Sequence, residues 1–212
     1  MQTEAIEKQI RDNCNFAIAK NELVELLTAV ANRHDRNPDA QELEEVARFI
    51  CEYIEQVPYM IKVAVTSAAS VGLETEVNCI LSAVISYWKL EDDVIPDQLG
   101  VIGLIDDAYC SLSLLQSVSD HYRLQTGKFM FPDDLTIANR AIREIIGEPY
   151  AAELDRFVLH TMNDAAIMDA VKSFADQEKQ LQFDMHGTIW SHDSAGAINN
   201  AALDALGLLK TP

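Results

Sequence analysis

Five aspartates, Asp92, Asp93, Asp97, Asp106 and Asp107, fall in a stretch otherwise made of Val, Ile, Leu, Pro, Gly and a single Gln. No Lys or Arg occurs between Leu90 and Tyr122 to neutralise them. A carboxylate in apolar surroundings is costly unless it is hydrogen-bonded, paired or protonated, so the grouping calls for a physical reason. Two are available. In the first, Asp93 caps a short turn begun by Val94-Ile95-Pro96, with Asp97 nearby. Asp106 and Asp107 then occupy the first turn of a following helix, where free N–H groups and the macrodipole favour acids. In the second, the chain folds back so that Asp93, Asp97, Asp106 and Asp107 converge as ligands of a divalent cation, with Mg²⁺, Mn²⁺ and Ca²⁺ as the oxygen-preferring candidates. Without a cation, mutual repulsion would raise at least one of those carboxyl pKa values. The ligand spacing and closing glutamate of an EF-hand are absent.

Nearly every long segment around this turn carries a helical period. Val77, Ile80, Leu81, Val84, Ile85 and Trp88 make one apolar stripe, and Leu104, Ala108, Leu112, Leu115, Val118 and Tyr122 make another that runs to about Gly127. The two predict an antiparallel helix pair bracketing residues 91–103, an unusually apolar connection. Upstream, Leu43, Val46, Ala47, Ile50, Ile54 and Val57 form a stripe whose start is supplied by Asn37-Pro38-Asp39, and Pro58 is expected to break or kink it. A further apolar piece, 59–71, should end at Gly72 as a left-handed cap. Downstream, Phe131-Pro132-Asp133-Asp134 opens a helix closing at Gly147. Glu148-Pro149 opens another running to about Gln180, and an Ala-rich helix at about 195–206 ends at Gly207. No strand alternation competes. The expectation is an all-α protein, a compact bundle of about six or seven mostly antiparallel helices in one domain over 1–212. An irregular tail at about 181–193 is expected to be anchored by Trp190.

The order Asp93, Ile95, Pro96, Asp97, Gly103, Asp106, Asp107 resembles the signature of the YkvA-like family, a widespread bacterial domain of unknown function whose pattern reads approximately P-x-D-x-I-P-D-x-x-P-x-x-G-x-x-D-D. The resemblance covers about residues 82–116. Glu91 stands where the pattern has its first proline and Gly100 where it has its second, which implies a looser turn with an extra charge. Kinship with that family implies no mechanism, because the family has no established activity.

Other constellations carry less. Asp92-Asp93-Val94-Ile95-Pro96-Asp97 superficially matches the diphosphate-binding motif of all-α prenyl-transferring enzymes, but Pro96 opposes the continuous helix that motif needs and no second acidic motif is evident. His34-Asp35 and His192-Asp193 are His-Asp pairs. With His160 and either His186 or Asp164, the second pair supplies the elements of a metallophosphohydrolase, whereas His34 reads more simply as a helix-terminal histidine. His121 joins neither set. There is no GxSxG elbow, phosphate-binding glycine loop or HExxH helix. Cys14, Cys51, Cys79 and Cys110 form no CxxC pair. Three of them lie in apolar helical patterns, and Cys110 sits too close to Asp106 and Asp107 to be an activated nucleophile.

Lys plus Arg number 16 against 34 Asp plus Glu, a formal charge of -18. That balance disfavours nucleic acid and anionic lipid and better suits metal cations or a basic protein partner. The uncharged runs are too short to span a bilayer, and the N-terminal residues lack a signal-peptide pattern, so the expectation is a soluble cytoplasmic protein. The functional expectation is a non-enzymatic binding or scaffold protein holding a divalent cation at the aspartate turn. Its competitor is a metal-dependent hydrolase of a phosphate ester.

Overall fold

The computed structural model describes residues 3–89, 94–128, 130–131, 134–176 and 198–209. Among them are eight α-helices and no strand: α1 (Thr3–Asn13), α2 (Phe16–Arg33), α3 (Ala40–Val71), α4 (Glu74–Val84), α5 (Ile105–Thr126), α6 (Thr136–Ile146), α7 (Tyr150–Met162) and α8 (Ala165–Phe174). Three 3₁₀ segments join them, Tyr87–Lys89, Asp97–Leu104 and Asn200–Leu206. The fold is all-α, as the periodicities predict, with more and shorter elements than six or seven.

Helix α5 is the centre, packing on α3, α4, α6, α7 and α8. The expected pairing of the 77–88 and 104–122 stripes is therefore one contact among five. The stretch Leu99–Thr126 is long and apolar enough to cross a membrane, and 78% of its most apolar window is buried within the protein, as in a central core helix. That length exceeds what its uncharged runs alone suggest. A largely buried helix must satisfy most of its polar side chains internally, and Ser111, Gln116 and Ser119 of α5 do so by bonding the connections around it. Ser111 accepts from Trp88 Nε1 (2.7 Å) and donates to the Val84 carbonyl at the end of α4 (3.0 Å). Gln116 Oε1 accepts from the Leu135 amide before α6 (2.9 Å), and Ser119 Oγ accepts from the Met130 amide (3.3 Å).

Local signals set most helix ends. Asp39, the last residue of Asn37-Pro38-Asp39, caps α3, accepting from Gln41 N and Glu42 N while the Glu42 side chain accepts from Asp39 N, and Pro38 precedes the helix. Gly72 (φ 72°) and Gly127 (φ 74°) end α3 and α5 in the left-handed conformation, as expected. Four expectations are corrected. The break expected at Pro58 is absent: α3 continues through it, because Val57, Met60, Ile61 and Ala64 are buried on its inner face and that packing outweighs one lost backbone bond. The predicted 77–88 helix ends at Val84, and Tyr87–Lys89 tightens into a 3₁₀ turn. The predicted helix from 148 to about 180 is two helices, because Asp164 caps a new one by accepting from Ala166 N (2.8 Å). The C-terminal 195–206 helix is, where described, the 3₁₀ segment Asn200–Leu206 closed by Gly207. The 181–193 tail and Trp190 lie outside the described residues.

Candidate functional site

The turn leading into α5 is held by its own aspartate. Asp106, in the first turn of α5, is fully buried, and its Oδ2 accepts from the Ile95 amide (3.0 Å) and from the Tyr87 hydroxyl (3.1 Å). Tyr87 Oη in turn accepts from the Val94 amide (3.2 Å). One carboxylate oxygen and one phenol thus satisfy two successive backbone donors of residues 94–95 and pin them to the helix start. Burial, opposed in part by the Val94 amide and reinforced by Asp106, pushes the Tyr87 phenol well above its usual range, which keeps it a donor. Its ring meets Phe157 of α7 edge-on at 4.9 Å. Asp107 is also buried, at 1% exposure.

The other half of the turn is held from α2. Glu22 Oε2 accepts from the Val101 amide (3.1 Å). Gly100 turns there at φ 66°, ψ -131°, so close to Glu22 that a Cβ would stand 2.5 Å from the same carboxylate oxygen. Only glycine meets both demands.

Together these contacts shape an apolar cavity of about 240 Å³. Leu26 of α2 forms one wall, Ile146 and Tyr150 at the α6–α7 corner another, and the turn closes it through Ile95, Leu99 and Ile102. Leu99 (53% exposed) and Tyr150 (50%) stand at its rim. Beyond this corner, Arg143 Nε bonds Asp155 Oδ2 and its Nη2 bonds Glu148 Oε1, both at 2.8 Å, and Tyr109 Oη donates to Asp155 Oδ1 (2.6 Å). That network ties α5, α6 and α7 behind the cavity. The apolar character of residues 94–105 is the one sequence signal for the cavity; Leu26, Ile146 and Tyr150 are distant in sequence and carry none.

Of the four candidate cation ligands, the structure brings Asp106 and Asp107 together at the start of α5 and places Asp97 at the head of the 3₁₀ segment. Asp93 and the Asp97 side chain lie outside the described residues. Among the described residues, no three His, Cys, Asp or Glu side chains gather as a metal would require. Of the histidine set, His34 is the C-cap residue of α2 and His160 is exposed in the last turn of α7. Asp164 is engaged as the α8 cap. His121 Nδ1 lies 2.9 Å from the Ser117 carbonyl. His186, His192 and Asp193 lie outside the described residues. Cys110 is buried, 2% exposed, in α5.

Comparison of the chain with protein-family models, with curated proteins and with solved structures gives no match.

Proposed function

We propose that this chain is a non-enzymatic protein-binding module that takes an apolar side chain of a basic partner into the cavity beside the aspartate turn. The observation that carries the reading is the cavity itself: apolar walls, a rim of Leu99 and Tyr150, and a turn whose backbone is pinned by hydrogen bonds to Asp106 and Glu22. Its size selects the class of occupant. Sites for drug-sized ligands and cofactors run from about 300 to 1,000 Å³, and about 240 Å³ better fits one or two large side chains. Charge selects the sign, since a chain at -18 with no cation between Leu90 and Tyr122 attracts Lys and Arg around such an anchor. The fitting mode is an amphipathic helix laid on a groove. The test is fluorescence anisotropy with two labelled amphipathic peptides sharing one Leu face, one with Lys and one with Glu on the other face. Saturable binding of the Lys peptide alone, weakened about tenfold or more in Leu99→Gln, supports the reading. Equal affinity for both peptides, or no effect of the substitution, overturns it.

A second reading rests on the burial of two adjacent carboxylates, Asp106 and Asp107. In it, a divalent cation, Mg²⁺, Mn²⁺ or Ca²⁺, is held by Asp93, Asp97, Asp106 and Asp107. A cation bound only by the folded state at about a hundred times its Kd adds roughly 2.7 kcal/mol, about 5–10 °C in Tm for a chain of this size. A saturable shift for one cation, abolished in Asp106→Asn/Asp107→Asn, is the expected result, and unchanged melting with every cation contradicts it. Turnover of p-nitrophenyl phosphate with that cation, lost in Asp106→Asn, would convert the reading to the hydrolase. Kinship with the YkvA-like family and a cytoplasmic location belong to the same proposal.

A further inference from the structure

Glu22 and Leu26 lie one turn apart on the same face of α2, and both meet the turn that closes the cavity. Leu26 forms a wall, while Glu22, an exposed residue, reaches the 3₁₀ segment beside the rim residue Leu99. Its Oε2 accepts from the Val101 amide (3.1 Å), and both its oxygens stand within 3.1 Å of where a Cβ of Gly100 would lie. A carboxylate held in this way needs little further ordering when a partner arrives. Among the described residues, no Lys, Arg or His pairs with it. Lys20 of the same helix is directed to Glu44 of α3 (3.2 Å). The carboxylates held at the α6–α7 corner differ: Glu148 and Asp155 are both engaged by Arg143 at 2.8 Å. The two sides of the cavity therefore differ in the charge they hold in place.

We propose that Glu22 is the specificity determinant of the cavity: it receives the ammonium of a Lys that the partner helix carries one turn from its apolar anchor. The inference rests on the protein-binding reading above and adds a register to it. Residues three or four apart on a helix share a face with their Cβ atoms about 5–6 Å apart. That is the spacing of Glu22 and Leu26 on α2, so an anchor seated against Leu26, Leu99 and Ile102 sets a residue one turn away on the partner beside Glu22. Lysine suits the position. Glu22 Oε2 is already bonded to Val101, and a point charge needs one oxygen where an arginine fork is best matched by two. The partner thereby lies on the cavity in one orientation, its cation over the Gly100–Val101 bend and away from Arg143.

The experiment uses the full chain and the Lys-faced amphipathic peptide, each Lys of which is replaced by Gln in turn. Glu22→Gln keeps an acceptor for the Val101 amide and removes only the charge. Glu25→Gln removes the same charge from an exposed neighbour on α2. At low salt, Glu22→Gln should weaken binding about two- to fivefold, the range of an exposed ion pair, and Glu25→Gln should leave it nearly unchanged. One Lys→Gln peptide should lose that same factor on the wild type and nothing further on Glu22→Gln, a coupling confined to one position. Carbodiimide cross-linking of the peptide to the wild type should join that Lys to Glu22, a readout that decides even if the variant does not fold. Equal losses in Glu22→Gln and Glu25→Gln, no Lys position coupled to Glu22, or cross-links only to other carboxylates overturn this inference and leave the cavity reading standing. Failure of the peptide to bind the wild type overturns both together.

Discussion

The Asp106 carboxylate lies at the N-terminus of α5 with Oδ2 receiving the Ile95 amide and the Tyr87 hydroxyl, so its removal leaves two polar groups without their acceptor. Hydrogen bonds to charged groups contribute about 1.5–3 kcal/mol, and an orphaned buried donor costs more. Asp106→Ala should therefore destabilise the fold by roughly 2–4 kcal/mol, and Asp106→Asn, which keeps one acceptor oxygen, by less than half of that. Urea unfolding checks this, and a loss below about 0.5 kcal/mol, the scale of an ordinary surface substitution, contradicts it. Gly100 gives a second prediction. Gly100→Ala meets both the positive φ and the Glu22 carboxylate and should cost about 1–3 kcal/mol. Combining it with Glu22→Ala should recover the steric part alone, a coupling visible in a double-mutant cycle. Proline, which the YkvA-like pattern has at this position, is locked near φ -65° and cannot adopt the 66° found here. The phenols of Tyr87, Tyr53 and Tyr109 are all raised, by burial first and at Tyr109 also by Asp155. A raised folded-state pKa contributes stability fully present below the unfolded value near 10 and lost as pH climbs beyond it. Unfolding free energy should accordingly fall above about pH 10, with phenolate absorbance lagging the ordinary titration until the chain unfolds. Ordinary tyrosine titration in the folded protein would refute this.

At the scale of elements, Pro58 sits inside α3 with no N–H to offer the preceding turn. Pro58→Ala restores that bond and should stabilise the protein by about 1–3 kcal/mol, read as a rise in the urea midpoint at constant m. Destabilisation would mean that the ring's packing outweighs the missing bond. This helix also marks the limit of what its sequence conveys. The Leu43–Val57 stripe, the Asp39 cap and the Gly72 terminus are local patterns, and each lies in the sequence within a turn of where it acts. Continuity through Pro58 is decided by burial against other helices, which no local pattern states. The break at Asn163-Asp164 was hidden for a related reason: one capping aspartate splits a stretch whose apolar spacing runs on across it. The turn at 94–105 was legible as apolar and acidic. Its hold on Glu22, 79 positions away from Val101, was not. The same distance concealed Tyr87 as the partner of Asp106, because its role depends on α4 ending early at Val84.

For the whole molecule, one buried cluster draws on α1 through α8 and on the Asn200–Leu206 segment, with α5 at its centre. Around it lies a surface of charge -18 whose ion pairs are mostly exposed, such as Lys8–Asp12 at 2.6 Å. Exposed pairs contribute little, whereas net repulsion acts on every carboxylate. Stability should rise with NaCl between about 0.01 and 0.15 M, where the Debye length contracts from roughly 30 to 8 Å; a fall would show that attractive pairs dominate. On the proposed function, the same field draws a basic partner toward the cavity. The most direct test of that proposal is a methyl NMR titration of isoleucine-labelled protein with the Lys-faced amphipathic peptide. The δ1 methyls of Ile95, Ile102 and Ile146 at the cavity should shift with one common affinity, while those of Ile50 and Ile54, buried in α3, stay still. Shifts scattered over the surface, or absent at the cavity, would contradict it.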